Sequence, residues 1–420
     1  MLSKPNFSSI YIKGTISLFK GNFWAQLIGL AGTFFIADLY GSDLLGVFSK
    51  FVSLSSVLAI FLTLRLESVF VLSEKGKDLK TIFSSIIYSI FIGSGICLLF
   101  MLFLPNSFFQ GINFLKIYVV FSVIGAILKA LESSYLSYLL SQKSFKEIAF
   151  SRVLFTLIRY TIQIGIFFFI PDFGLILGFI TAAVILLFYF YQKTGNLFTL
   201  ISFHDFKKTL KDNLNLVSYG VLSDNLNAIN LNLIPIIAGI YFSDSEIGWY
   251  FLAVVLLSAP VTFINTSFSK VFFLRASEIK NDDQTQLYGF VKKYTFQLFI
   301  GLLIPFLLIF FLSNPFIDFL LKDEWLKVGY YIQLLSVLYY FRAIYNPISY
   351  LEEVLKKNHI GLIFNIFLLL GNLSAIFSGV YINSFSTTIQ IISFILPIGY
   401  GLMILYFLLT TRQLRFQKAQ

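Results

Sequence analysis

The sequence predicts an all-α integral membrane protein. Twelve transmembrane helices form two six-helix lobes related by a parallel pseudo-two-fold repeat, with both termini in the cytosol. Three observations carry this. The chain is 57% hydrophobic and 12% charged, where an ordinary soluble domain is about 25% charged. Twelve apolar runs are long enough to cross a bilayer core, which takes about 20 residues. The two halves also carry similar motifs about 200 residues apart. The runs are continuous, not the ten-residue alternating segments of a barrel, so they read as helices.

The opening "MLSKPNFSSIYIKGTISLFKGNFW" puts Lys4, Lys13 and Lys20 ahead of the first run. No small-residue cleavage site follows a short apolar core, so span 15–38 is expected to be retained. Spans 44–72, 83–104, 116–140, 150–170 and 174–191 complete the N-terminal lobe, 1–200. The longest linker, about 192–214, contains "FHDFKKTLKDNL" and reads equally as an amphipathic surface helix or a solvated basic segment. The C-terminal lobe, 201–420, carries spans 215–242, 247–274, 291–313, 329–353, 361–381 and 387–410.

Most of the 31 lysines and arginines, Arg152 among them, are assigned to the termini and one set of loops, while the opposite loops hold Lys116, Lys322 and Lys327. The positive-inside rule then makes both termini cytosolic. The net charge of +10 is accounted for by these loops without a nucleic-acid partner.

The repeat aligns "LYGSDLLGVF" (39–48) with "IYFSDSEIGWY" (240–250), one residue inserted, and "SVFVLSE" (68–74) with "KVFFLRA" (270–276). The paired residues are Tyr40/Tyr241, Ser42/Ser243, Asp43/Asp244 and Gly46/Gly248. Both matches fall in the second helix of a six-helix block. Six is even, so the blocks share one orientation, an arrangement used by transporters with a midplane site between lobes. Pro235, Pro260, Pro305, Pro347 and Pro397 lie inside second-half spans. Since proline kinks a helix, the second lobe is expected to be the more bent.

Charged side chains inside spans are costly and mark functional positions by default. Lys50 and Lys270 are close enough to span ends to snorkel, and Arg159 is intermediate. Lys129 and Arg342 are about a dozen residues from both ends of their spans, too deep to snorkel easily. Lys129 and Glu132, three apart, can pair on one helix face. Arg65 and Glu67, two apart in "LTLRLESVFVL", point to different sides of a helix. In "DNLNAINLNLIP", Asp224, Asn225, Asn227, Asn230 and Asn232 cover an arc of about 220° at 100° per residue. Such an arc lines a water-filled path, since intramembrane polar groups need partners. Bases outnumber acids inside the spans, which favours an anionic ligand.

No G-x-x-x-x-G-K-[ST] occurs, so no P-loop for ATP. Both histidines, His204 and His359, fall in cytosolic loops, and the single cysteine, Cys97, excludes an internal disulfide and a cysteine metal site. No cofactor or metal is expected, and no catalysis. "GLILG" (174–178) has small-residue packing spacing.

"YGSDLLGVF", "RLES" and above all "SDSEIGWYFLAVVLLSAPVTFINTSFSKVFFLRASE" (243–278) resemble the Wzx-type O-antigen and capsule flippases, the polysaccharide transport family of the multidrug/oligosaccharidyl-lipid/polysaccharide exporter superfamily. The resemblance implies a flippase of the bacterial inner membrane in lipopolysaccharide or capsule biosynthesis. Its substrate would be undecaprenyl-diphosphate-linked oligosaccharide, carried by alternating access through a cationic cavity and driven by a proton or Na⁺ gradient. Its partners would be this substrate, membrane lipids and other glycan assembly proteins. It implies Arg65, Lys129, Arg159 and Arg342 as contacts for diphosphate or acidic sugar, and Glu67, Glu132 and Asp224 as coupling-ion or gate residues. A multidrug exporter of the same superfamily would want acidic cavity residues. A glycosyltransferase, polymerase or ligase of the same pathway would want a large external loop.

Overall fold

The computed structural model describes residues 9–72, 78–103, 115–214, 221–321 and 323–417. Among these residues the regular structure is entirely helical, and nine helical stretches are long and apolar enough to cross a membrane. The chain forms two compact units. One comprises Met1–Tyr40 and Val47–Asn232, the other Gly41–Gly46 and Leu233–Gln420.

The first two expected spans are one helix, α1 (Ser9–Thr63), bent at Gly41. There φ is 74°, a conformation that glycine adopts without the steric cost of a β-carbon. In the first unit, the early part of α1 packs on α5 (Phe145–Phe167) through small residues. A β-carbon on Gly21 would stand 2.6 Å from that of Ala149, and one on Gly32 would stand 2.4 Å from the Tyr160 ring. The Thr33 and Tyr160 hydroxyls lie 2.7 Å apart. Helix α6 (Pro171–Thr194) starts with proline in its first turn, where the missing N–H is no loss. Its "GLILG" is a packing point: Gly174 abuts the Tyr40 hydroxyl and Gly178 abuts Gln163. Tyr40 donates to the Gln163 carbonyl, and the Gln163 amide donates to Leu175 (2.8 Å).

The later part of α1 packs on α3 (Leu79–Phe103) and α4 (Leu115–Ser141). The Ser55 hydroxyl donates to the Ser122 carbonyl and the Ser89 hydroxyl to the Leu62 carbonyl (3.0 and 2.7 Å). The short helix α2 (Ser68–Leu72) adds Val69 and Phe70 to a core with Leu62, Leu66, Phe83 and Ile86. The linker contains a helix, α7 (Phe203–Asp212), started by a reciprocal Ser202–Asp205 cap. The hydrogen bond from the Ser202 hydroxyl holds the Asp205 carboxyl below its ordinary pKa. Phe206 is buried with its ring 6.2 Å from Tyr88, while Leu200 and Phe203 are exposed beside Lys207 and Lys208.

Helix α8 (Val221–Leu233) runs into a π-helical turn, Ile234–Ala238, around Pro235, and on to α9 (Gly239–Tyr241). Proline cannot donate to the helical ladder, and the wide turn absorbs that break. The second unit continues with α10 (Asp244–Asp283), α11 (Leu287–Leu320), α12 (Leu326–Ile348), α13 (Leu351–Val354), α14 (Asn358–Ile382) and α15 (Phe385–Gln417). Helix α12 is its centre, packed on α10, α11 and α15 through buried Tyr331, Leu335, Ala343 and Ile344. Pro260, Pro305, Pro347 and Pro397 lie within helices, as does Pro315.

The repeated motifs meet inside this unit. A β-carbon on Gly46 would stand 1.8 Å from the Asp244 carbonyl oxygen, and one on Gly248 would stand 2.0 Å from the Ser42 carbonyl oxygen. The Ser245 hydroxyl donates to the Asp43 carboxylate. The Ser42 amide donates to Glu324 (2.7 Å).

Glycine packing gives a paired test. Gly178→Leu overpacks against Gln163 and should destabilise the protein by about 1–3 kcal/mol. Gly165, which has open space at its β position, should tolerate alanine and gain up to ~1 kcal/mol of helix propensity. Thermal unfolding in detergent should show Tm falling for the first and holding or rising for the second.

Candidate functional site

In the first unit the deep charges gather on α4 and α5. The Lys129 ammonium donates to the Ser56 hydroxyl (2.6 Å) and the Val52 carbonyl (3.2 Å) of α1, and lies 5.4 Å from the centre of the Phe179 ring. The i,i+3 pairing expected with Glu132 is not made as an ion pair, because α1 passes within reach and offers two oxygens. Glu132 nonetheless lies in the electrostatic field of Lys129, Arg152 and Arg159. The Arg159 guanidinium stands 4.3 Å from the Tyr160 ring centre and 5.8 Å from that of Phe155. Its buried Nε has no hydrogen-bond acceptor among the described residues. Arg152 donates to the Asn22 side-chain oxygen. Sequence reasoning counted Arg152 among the cytosolic bases. Its seven-residue spacing from Arg159, two helical turns, is the signal that places both on one face of α5.

Arg65 and Glu67 are not on a helix. The helical reading of 44–72 fails at Leu64–Glu67, where α1 ends and the chain turns before α2. Leu64 and Arg65 both have left-handed backbones, with φ of 49° and 58°. The turn satisfies its own backbone: the Leu66 amide donates to Thr63 and the Ser68 amide to Arg65 (3.0 Å each). The Arg65 amide donates to the Thr63 hydroxyl (3.3 Å). Buried Leu62, Leu66 and Phe70 anchor this turn in the core, while Arg65 and Glu67 are half-buried.

On α8 the asparagines divide. Asn225 and Asn230 are buried, Asn232 is half-buried and Asn227 is exposed. Asn232 donates back to the Ala228 carbonyl (2.8 Å). Both polar side-chain atoms of Asn225 are buried without a hydrogen-bond partner among the described residues, an exception to the usual pairing of buried polar groups. The side chains of Asp224 and Lys270 lie outside the described residues.

In the second unit, Arg342 projects from α12 among tyrosines. Its guanidinium is 5.5 Å from the Tyr339 ring centre, with Tyr250 of α10 and Tyr400 of α15 also acting on it. Among the described residues no carboxylate pairs with it. Glu352, in α13 just beyond the C-terminal end of α12, accepts from the Tyr345 hydroxyl (2.8 Å). Aromatic rings hold a guanidinium without neutralising it, so its charge stays available to an anion. Among the described residues no group of three or more His, Cys, Asp or Glu side chains converges as metal ligands.

Residues 45–329 match the family model described as polysaccharide biosynthesis protein. No curated protein sequence matches the chain. Among solved structures, the chain is similar to the lipid II flippase MurJ in an inward closed conformation (TM-score 0.73, 18% identity, covering 96% of this chain and 87% of that one). It is also similar to a MATE transporter in complex with MaL6 (TM-score 0.58, 14% identity, 98% and 97%). A third likeness is to a MOP-superfamily transporter from Pyrococcus furiosus (TM-score 0.57, 14% identity, 96% and 95%). At these identities the likeness is one of fold.

The left-handed turn separates structure from chemistry. A left-handed backbone costs a residue with a β-carbon roughly 1–2 kcal/mol. Arg65→Gly should therefore melt at or above the wild-type temperature when unfolded thermally in detergent. A lower melting temperature would show the Arg65 side chain to be a structural support.

Proposed function

The chain belongs to the polysaccharide biosynthesis protein family, and from that premise we propose that it moves an anionic lipid-linked saccharide across a membrane. The substrate of this reading is an undecaprenyl-diphosphate-linked oligosaccharide, an O-antigen or capsule repeat unit. It crosses from the inner to the outer leaflet of a bacterial cytoplasmic membrane through twelve spans, with both termini cytosolic.

The observation that carries this reading is the deep cation that closes no ion pair among the described residues. Arg342 sits among tyrosines with no described carboxylate partner, and Lys129 is held by neutral oxygens. An isolated charge at membrane depth is costly, and an anionic headgroup supplies the missing counter-charge. Arginine favours phosphate because its planar fork can bind two oxygens at once. A cationic drug would meet repulsion at the same positions, so export of cations is disfavoured. Arg65 and Arg159 are the further anion contacts in this reading. Glu67, Glu132 and Asp224 are the acids available to a coupling proton or Na⁺ or to a gate, and Asn225 adds an unpartnered amide.

Deletion of the gene, in a strain lacking a second transporter of the family, should strand lipid-linked glycan in the inner leaflet. Normal surface glycan in that strain would overturn the reading. Arg342→Ala and Lys129→Ala should each lower export about tenfold or more, equivalent to ~1.4 kcal/mol, while remaining inserted. Wild-type export by both variants would remove the cations from the transport path.

A further inference from the structure

Four charged side chains converge across the packed pair α4 and α5, and the core fixes their register. Leu139 and Ile148 share one buried cluster with Leu186 and Phe190 of α6, so each lies on the face its helix turns to that common core. On α4, Glu132 is seven residues from Leu139, and Lys129 three further. On α5, Arg152 is four residues from Ile148, and Arg159 eleven. Steps of three, four, seven and eleven keep a helical residue on or beside the same face. At 1.5 Å per residue, Arg152 stands about 6 Å beyond the level of Leu139 and Ile148, Glu132 about 10 Å, Lys129 about 15 Å and Arg159 about 16 Å. Glu132 therefore lies between cations on both sides.

Each cation has a neutral partner of its own. Lys129 holds Ser56 and Val52, Arg152 holds Asn22, and Arg159 stacks on Tyr160. None closes an ion pair with Glu132, although all three act on it. Arg159 keeps one buried donor unmet, and Arg152 is exposed, so the strip is open at its outer end.

We propose that Glu132 is the resident counter-anion of an anion-binding strip on α4 and α5, that a diphosphate takes its place on binding, and that Arg152 is the strip's outer contact. The identity of the ligand as a lipid-borne diphosphate rests on the transport reading above. Three cations around one carboxylate leave an excess of positive charge. A diphosphate carries more charge than the carboxylate it displaces and can engage both guanidinium forks. A singly charged anion brings no more charge than Glu132 and competes poorly, so the resident acid acts as a selectivity element. With no ligand present, Glu132 tempers the cost of three cations at depth.

The test is titration of the purified full-length protein in detergent with inorganic pyrophosphate and with acetate. Wild type should bind pyrophosphate and not acetate. Removing the resident charge with Glu132→Gln should tighten pyrophosphate binding by roughly tenfold and admit acetate, and Glu132→Asp should restore wild-type behaviour. Exposed Arg152→Gln should melt like wild type and weaken pyrophosphate binding by roughly tenfold. Unchanged or weaker binding by Glu132→Gln, full binding by Arg152→Gln, or no binding by wild type and Glu132→Gln alike would each overturn the strip. Pyrophosphate binding as expected alongside normal surface glycan in the deletion strain would leave the strip standing and remove the transport reading. The reverse pattern would remove the strip alone.

Discussion

Everything in this chain answers to the absence of water at membrane depth. A backbone amide or a side-chain charge in hydrocarbon has no solvent partner, so the protein must supply one. Helices satisfy the backbone by construction. The informative places are those where a helix stops. At Leu64–Glu67 the turn closes its own hydrogen bonds through Thr63 and Arg65. At Gly41 the Ser42 amide finds the Glu324 carboxylate, a negative group at the start of a helical segment, where the dipole favours it. At Pro235 the ladder widens into a π turn. Each interruption is repaired locally, so irregular backbone persists inside an apolar sequence.

Charge is handled differently in the two units. In the first, cations and one acid share the α4–α5 face, and each cation is steadied by a neutral neighbour. In the second, Arg342 lies against the Tyr339 ring, and Tyr250 and Tyr400 also act on it. This second arrangement leaves Arg342 without a paired carboxylate among the described residues.

The membrane class, the helices and the family were legible in the sequence because apolar length and motif spacing survive in one dimension. The break at Leu64 and Arg65 was not. It contains no glycine, proline or asparagine, and its two charges sit in an otherwise apolar stretch, so no turn-forming residue announces a left-handed turn. Conversely Gly41 looked like part of a short loop, yet it is a bend within one long helix. The Lys129–Glu132 spacing was read correctly as one helix face, but the spacing could not show that Val52 and Ser56 of α1 come closer than the acid. Arg152 was missed because position along the chain put it with the solvated bases, whereas its heptad relation to Arg159 is what matters in three dimensions. The asparagine arc on α8 was legible as polar. Which of its members are buried depends on neighbours that lie elsewhere in the chain.

The contact between the repeated motifs bears on how the sequence can change. Gly46 touches the backbone of the second motif and Gly248 touches the backbone of the first. A surface that meets its own copy in this reciprocal way has the geometry of a two-fold dimer interface, here written twice into one chain. The two glycines are therefore one constraint. A methyl group gained at either position strikes the same crossing, and no change at the other can make room, since both sides are already main chain. The serine that reaches Asp43 shows where freedom remains. Ser245 has Leu44 as its counterpart in the first motif, so that hydrogen bond exists in one direction only. The halves have diverged in their side chains, while the crossing beneath them admits glycine alone.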